Sequence, residues 1–78
     1  MTQHVLIVDD NEVNLVLFGA LVKKLEGCVP HPFADPLLAL EWAKSNPSDL
    51  VIVDYMMPGM DGLEFIQHYQ VLAGNGEV

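Results

Sequence analysis

The chain has 78 residues, a formal net charge of −8 from 3 Lys+Arg against 11 Asp+Glu, 51% hydrophobic residues and a mean hydropathy of +0.31. That length holds one small domain at most, and the apolar content argues against disorder. The acidic balance excludes the basic footprint needed for DNA, RNA or an anionic membrane surface.

A domain this small buries only about 60% of its unfolded surface, so marginal stability is expected. No apolar run approaches the roughly 18 residues of a membrane span. The start, Met1–Thr2–Gln3–His4, lacks the basic region of a secretion signal, and the single Cys28 excludes an internal disulfide framework. A cytoplasmic protein is expected.

His4 to Val8 is a short apolar run that reads as a buried strand and ends in two carboxylates, Asp9 and Asp10. Asn11 is an N-cap candidate, and Glu12 adds negative charge where a helix dipole favours it. Leu15, Phe18, Val22 and Leu25 recur at helical spacing, Lys23 and Lys24 lie near the helix end, and Gly27 is expected at C′. Cys28 to Phe33 predicts an edge strand, because Pro30 and Pro32 have no amide to donate. Asp35 then caps a second helix with Pro36 at its first position, an apolar stripe of Pro36, Ala39, Leu40 and Ala43, and an end at Asn46–Pro47.

Leu50 to Val53 is the third apolar run, expected to be buried on both faces, and it stops on Asp54. Two methionines, Pro58 and a Gly59–Met60–Asp61–Gly62 turn follow. A third helix from Asp61 or Gly62 is predicted to turn Leu63, Ile66, Tyr69 and Leu72 inward, and Ala73 to Val78 reads as a loop or tail. Strand–helix three times over predicts an α/β fold with a parallel sheet.

If the first and third strands are neighbours, Asp9, Asp10 and Asp54 gather at one sheet end. Three anions at close range repel, and a hard divalent cation such as Mg²⁺ relieves the conflict through oxygen ligands. Such an ion also neutralises a phosphoryl group moving onto a carboxylate, for which Asp54 is the candidate nucleophile. Taken singly, each Asp reads as a cap or turn residue; capping is the first reading for Asp10 alone and for Asp61. What lifts Asp9, Asp10 and Asp54 above it is their shared strand-end position with a proline–glycine loop behind. His4, His31 and His68 read as strand-end, edge or surface residues with no pairing at metal-ligand spacing. Cys28 reads as a small strand residue, and no phosphate-binding glycine motif is present.

VLIVDDNEVN, followed some forty residues later by VIVDYMMPGMDG, resembles the receiver domain of two-component response regulators. The resemblance implies a flavodoxin-like three-layer fold with strand order 2-1-3-4-5. It implies that Asp54 is the phosphoacceptor, fed from the phosphohistidine of a histidine kinase or phosphotransfer protein. Asp9, Asp10 and the Met56 backbone carbonyl would hold Mg²⁺. Pro58 and Gly59 would shape the loop, and Gly62 would open the third helix.

The same resemblance implies five strand–helix units. Residues 1–78 therefore read as a truncated receiver, in sheet order 2-1-3 with strands 4 and 5 missing. The family's Ser or Thr, its Lys and its aromatic switch residue would be missing with them, so phosphorylation and switching should be impaired. The Leu50–Val53 strand becomes an edge, and a homodimer through that edge or by element exchange is expected. Two rivals stand beside the phosphoacceptor reading, in which the chain is not an enzyme. One is a non-catalytic, self-associating interaction fragment. The other is a dehalogenase-type phosphohydrolase, which usually needs a second Asp two residues after the nucleophile, where this chain has Met56.

Overall fold

In the computed structural model, which describes residues 2–72, strand and helix alternate as β1 (Gln3–Val8), α1 (Glu12–Lys23), β2 (Cys28–Phe33), α2 (Pro36–Ala43), β3 (Leu50–Val53) and α3 (Gly62–Leu72). The three strands form one parallel sheet in the order β2-β1-β3. The parallel sheet is what the strand–helix alternation predicts, and its order is the incomplete flavodoxin-like one that the resemblance implies. The expected loop at 73–78 lies outside the described residues.

β1 is the central strand, and its side chains alternate between two cores. Leu6 and Val8 pack with Ala39, Met57 and Phe65 on the face covered by α2 and α3. Val5 and Ile7 pack with Val22 on the face covered by α1. All four β1 residues are at most 2% exposed. Full burial of such side chains contributes about 1.5–3 kcal/mol each, which makes β1 the main apolar anchor. α1 therefore lies on one side of the sheet and α2 and α3 on the other.

β2 is an edge strand, as its prolines predict. Gln3 donates to the Gly27 carbonyl and Asp9 to the Phe33 carbonyl, so the odd-numbered residues of β2 turn their backbone towards β1. Pro30 and Pro32 fall on the other parity, where an amide would point away from the sheet, and they cost the ladder nothing.

The expected caps are present. Asn11 Oδ1 accepts from the amides of Val13 and Asn14, and Asp35 Oδ1 accepts from Leu37. Asp61 and Glu64 exchange bonds, with the Glu64 amide donating to Asp61 Oδ1 at 2.8 Å. Capping is thus done by Asn11 rather than by Asp10. Other expectations need correction. Gly27 (φ 82°) is not at C′, because α1 is capped by Lys24; it turns the chain into β2. α2 ends at Ala43, before Asn46–Pro47, where the Asn46 side-chain amide donates back to the Trp42 carbonyl. Leu25 lies past α1 and is exposed. α3 buries Gly62 and Phe65, with Ile66 and Tyr69 partly buried, whereas Leu63 and Leu72 are exposed. β3 is only partly buried: Val51 and Val53 pack on one core and Ile52 on the other, but it pairs only with β1, its far edge is open and Leu50 is 55% exposed.

His4 near the start of β1, His31 on the edge strand and the exposed His68 stand where expected, but the expectation of no pairing is overturned for the first two. His4 Nδ1 and His31 Nε2 lie 2.9 Å apart although 27 residues separate them. The His31 ring packs on Trp42 at 4.6 Å, and Trp42 packs on Phe33. The His4 backbone is tied on both sides to Asp49: the His4 amide donates to Asp49 Oδ2, and its carbonyl accepts from the Asp49 amide. The His–His bond needs one unprotonated nitrogen as acceptor.

Burial, and then the neighbouring His4, hold His31 below its usual 6.5. Below 6.5 the unfolded chain therefore binds more protons than the folded one. The contribution is complete above 6.5 and is lost as the pH falls from 6.5 through the lowered folded value. Thermal unfolding followed from about pH 7.5 to 5 should show the midpoint dropping through this window, and His31→Gln should flatten that drop.

Candidate functional site

The parallel pairing of β1 with β3 brings their C-terminal ends to one edge of the sheet. Asp54 donates its amide to the Val8 carbonyl at 2.9 Å, which fixes the end of β3 beside the end of β1. One carboxylate oxygen from each of Asp9, Asp10 and Asp54 then falls within 4.8 Å of the others. The three differ in depth: Asp9 is buried (4% exposed), Asp54 half-buried and Asp10 exposed. The crevice beside them encloses about 270 Å³ and is lined by Asp9, Asn14, Phe18, Ile52, Asp54 and Tyr55, among others.

A buried carboxylate needs donors. Asp9 Oδ1 accepts from the Asn11 amide at 2.9 Å, and Asp9 Oδ2 from the Asn14 side-chain amide at 3.1 Å. The first turn of α1 thus supplies both donors. Asp54 Oδ1 accepts only weakly, from the Met56 amide at 3.4 Å. Among the described residues, the one ion pair is Lys44–Glu41 on α2, so no lysine is paired with the cluster. Three converging oxygens without a cationic partner are the donor set of a hard divalent ion, and the residues fit Mg²⁺ in chemistry and number.

The loop behind Asp54 is set by glycine. Gly59 takes φ 81°, a left-handed value that disfavours other residues. At Gly62 a Cβ would lie 2.7 Å from the Asp54 carbonyl oxygen and 2.9 Å from the Tyr55 Cα, so α3 starts against the backbone that carries the site. Met57 enters the core and the Met56 side chain is 74% exposed; the position where a dehalogenase-type hydrolase would need its second carboxylate holds this exposed methionine. Sequence reasoning left Asn14 without a part. The structure makes it a positioning residue for Asp9, and the signal was its place in the first turn after a strand-end carboxylate.

A parallel α/β sheet with three carboxylates at the ends of neighbouring strands, followed by a glycine-shaped loop, defines the acidic pocket of a phosphoacceptor module. The chain belongs to the response regulator receiver domain family, which matches it over residues 5–78. It is 35% identical over 75 residues to sporulation initiation phosphotransferase F of Bacillus subtilis (strain 168), a match covering 96% of this chain and 60% of that protein. The chemotaxis protein CheY4 of Vibrio cholerae superposes with a TM-score of 0.87 at 27% identity, over 96% of this chain and 62% of the other. The receiver domain of the sensor histidine kinase PA1611 from Pseudomonas aeruginosa PAO1, solved with a magnesium ion coordinated in its active-site cleft, superposes with a TM-score of 0.83 at 27% identity, over 99% and 62%. The chain thus spans about three-fifths of the length of each. Receiver domains are phosphoacceptor modules of two-component systems that work with histidine kinases or phosphotransfer proteins. No described helix is long and apolar enough to cross a membrane.

Removing a donor to a buried charge costs about 1.5–3 kcal/mol. Asn14→Ala should therefore lower the unfolding free energy by about that amount at neutral pH, read from urea denaturation.

Proposed function

We propose that residues 1–78 form the first three strand–helix units of a receiver, and that Asp54 accepts a phosphoryl group from a phosphohistidine of a histidine kinase or phosphotransfer protein. The observation that carries this reading is the convergence of Asp9, Asp10 and Asp54 at the ends of β1 and β3. Asp9, Asp10 and the Met56 main-chain carbonyl would hold Mg²⁺. When bound, the ion offsets the negative charge of the carboxylates and of the incoming phosphoryl group. An Asp54 carboxylate oxygen attacks phosphorus, the P–N bond to the donor imidazole breaks, and the electron pair stays on that nitrogen, which then takes a proton. Asn11 and Asn14 keep Asp9 oriented throughout. The module is a phosphoacceptor, not an enzyme, and acts in the cytoplasm.

The partner surface follows from α1. Its first turn borders the acidic pocket, and Val13, Val16 and Leu17 beyond it are 53–74% exposed. An apolar ridge next to the phosphoacceptor supports docking of a helical phosphohistidine carrier there.

The three lysines lie at the end of α1 or on the α2 cap, away from the cluster. Without a counter-charge from a lysine, phosphoryl transfer should be slow and substoichiometric. Incubation with Mg²⁺ and a small phosphodonor, followed by intact-mass measurement, should show partial addition of one phosphoryl group that disappears in Asp54→Ala. Addition persisting in that variant overturns the assignment, and rapid, complete addition overturns the expected impairment.

Self-association is supported by a separate observation. β3 bonds to β1 alone, and cavities of about 590 and 270 Å³ flank it, one lined by Leu50, Val51, Tyr69 and Leu72 and the other by Ile52 and Val53. We infer a homodimer that pairs through this edge or exchanges elements across it. Sedimentation at micromolar concentration should give a dimer, and a cooperatively folding monomer would sink the inference.

A further inference from the structure

Apart from the acidic pocket, one cluster of metal-ligating side chains is built into the sheet. His4 on β1 and His31 on β2 project on the same side of the sheet and oppose Nδ1 to Nε2 at 2.9 Å. Both are held. Trp42 backs the His31 ring at 4.6 Å, and Asp49 binds the His4 main chain through both its amide and its carboxylate. The pair lies at the N-terminal end of β1, roughly 16 Å along the strand from Asp9.

We propose that His4 and His31 form a second cation site, selective for a borderline transition metal and best suited to Cu²⁺. Imidazole nitrogen suits copper, nickel and zinc and not Mg²⁺, and among divalent first-row ions copper binds such donors most strongly. Two ligands on bonds of about 2.05 Å that meet at a right angle lie about 2.9 Å apart, as neighbouring positions of a tetragonal copper site do. With ring centroids 5.1 Å apart the two nitrogens face each other nearly head-on, and each ring would turn by about 45° for both to face one ion, which replaces the shared proton. Water fills the remaining positions, and the Asp49 carboxylate and the net charge of −8 favour a cation there. Bound metal ties β1 to β2 at the end of the sheet opposite the phosphoacceptor pocket.

The untagged chain is titrated with Cu²⁺ in excess Mg²⁺, so that the acidic cluster does not compete. Trp42 is the only tryptophan and lies against His31, so its emission should be quenched at one equivalent. Electron paramagnetic resonance of the copper form should show two imidazole nitrogens. His31→Gln and His4→Gln should each weaken binding by at least about tenfold, no less than loss of a group that only orients a metal ligand costs. A spectrum with one imidazole nitrogen or none overturns the proposal without any variant having to fold. So does undiminished affinity in a folded His31→Gln chain, which would mean that His4 binds copper with other donors.

Discussion

The constraint on which the rest of the structure depends is β1, an apolar strand that ends in a buried charge. Val5 to Val8 are sealed on both faces, and the next residue, Asp9, is only 4% exposed. Such a carboxylate is tolerated because the chain turns at once into α1, whose first turn brings the Asn11 amide and the Asn14 side chain onto its two oxygens. Strand burial fixes where Asp9 stands, and helix initiation fixes how it points. The pairing with β3 then adds Asp54 through a single backbone bond to Val8. Scaffold and site are therefore one construction, in which the sheet's end is the site's floor.

Charge runs against this construction. Three carboxylates share a small volume, and the lysines that could offset them sit elsewhere, one of them already paired with Glu41. Repulsion of this kind raises the cost of folding, and a bound cation would offset it. The opposite end of β1 is held by a histidine pair backed by an indole. The two ends of one strand thus present hard oxygen donors and borderline nitrogen donors about as far apart as the strand permits.

The sheet has two edges of different kinds. β2 is closed to further pairing by Pro30 and Pro32, whose positions face outward. β3 has no such protection, and beside it Leu50 and Tyr55 are exposed. Exposed apolar surface is thus found both along β3 and on the Val13–Val16–Leu17 ridge of α1.

Much of this was legible in the residues. Apolar runs ending in Asp9–Asp10 and Asp54, the caps at Asn11, Asp35 and Asp61, and the prolines of β2 are local signals, each depending on a few neighbours along the chain. Strand order and the carboxylate cluster followed once the two motifs were read together. What the residues could not disclose depends on partners remote in sequence. Gly27 looked like a helix terminator, but α1 ends at Lys23 and is capped by Lys24. Leu63 and Leu72 looked inward-facing together with Ile66 and Tyr69, but α3 buries Gly62 and Phe65 instead, starting as it does against the Asp54 backbone. His4 and His31 looked unrelated until the register of β1 with β2 made them diagonal neighbours. By itself the sequence determined which segments form strands and helices and which carboxylates end the strands, since those depend on local pattern and capping. Only the tertiary structure decided that Asn14 holds Asp9, that two histidines meet and that α3 starts against the Asp54 backbone, because those depend on how remote segments pack and in what register they pair.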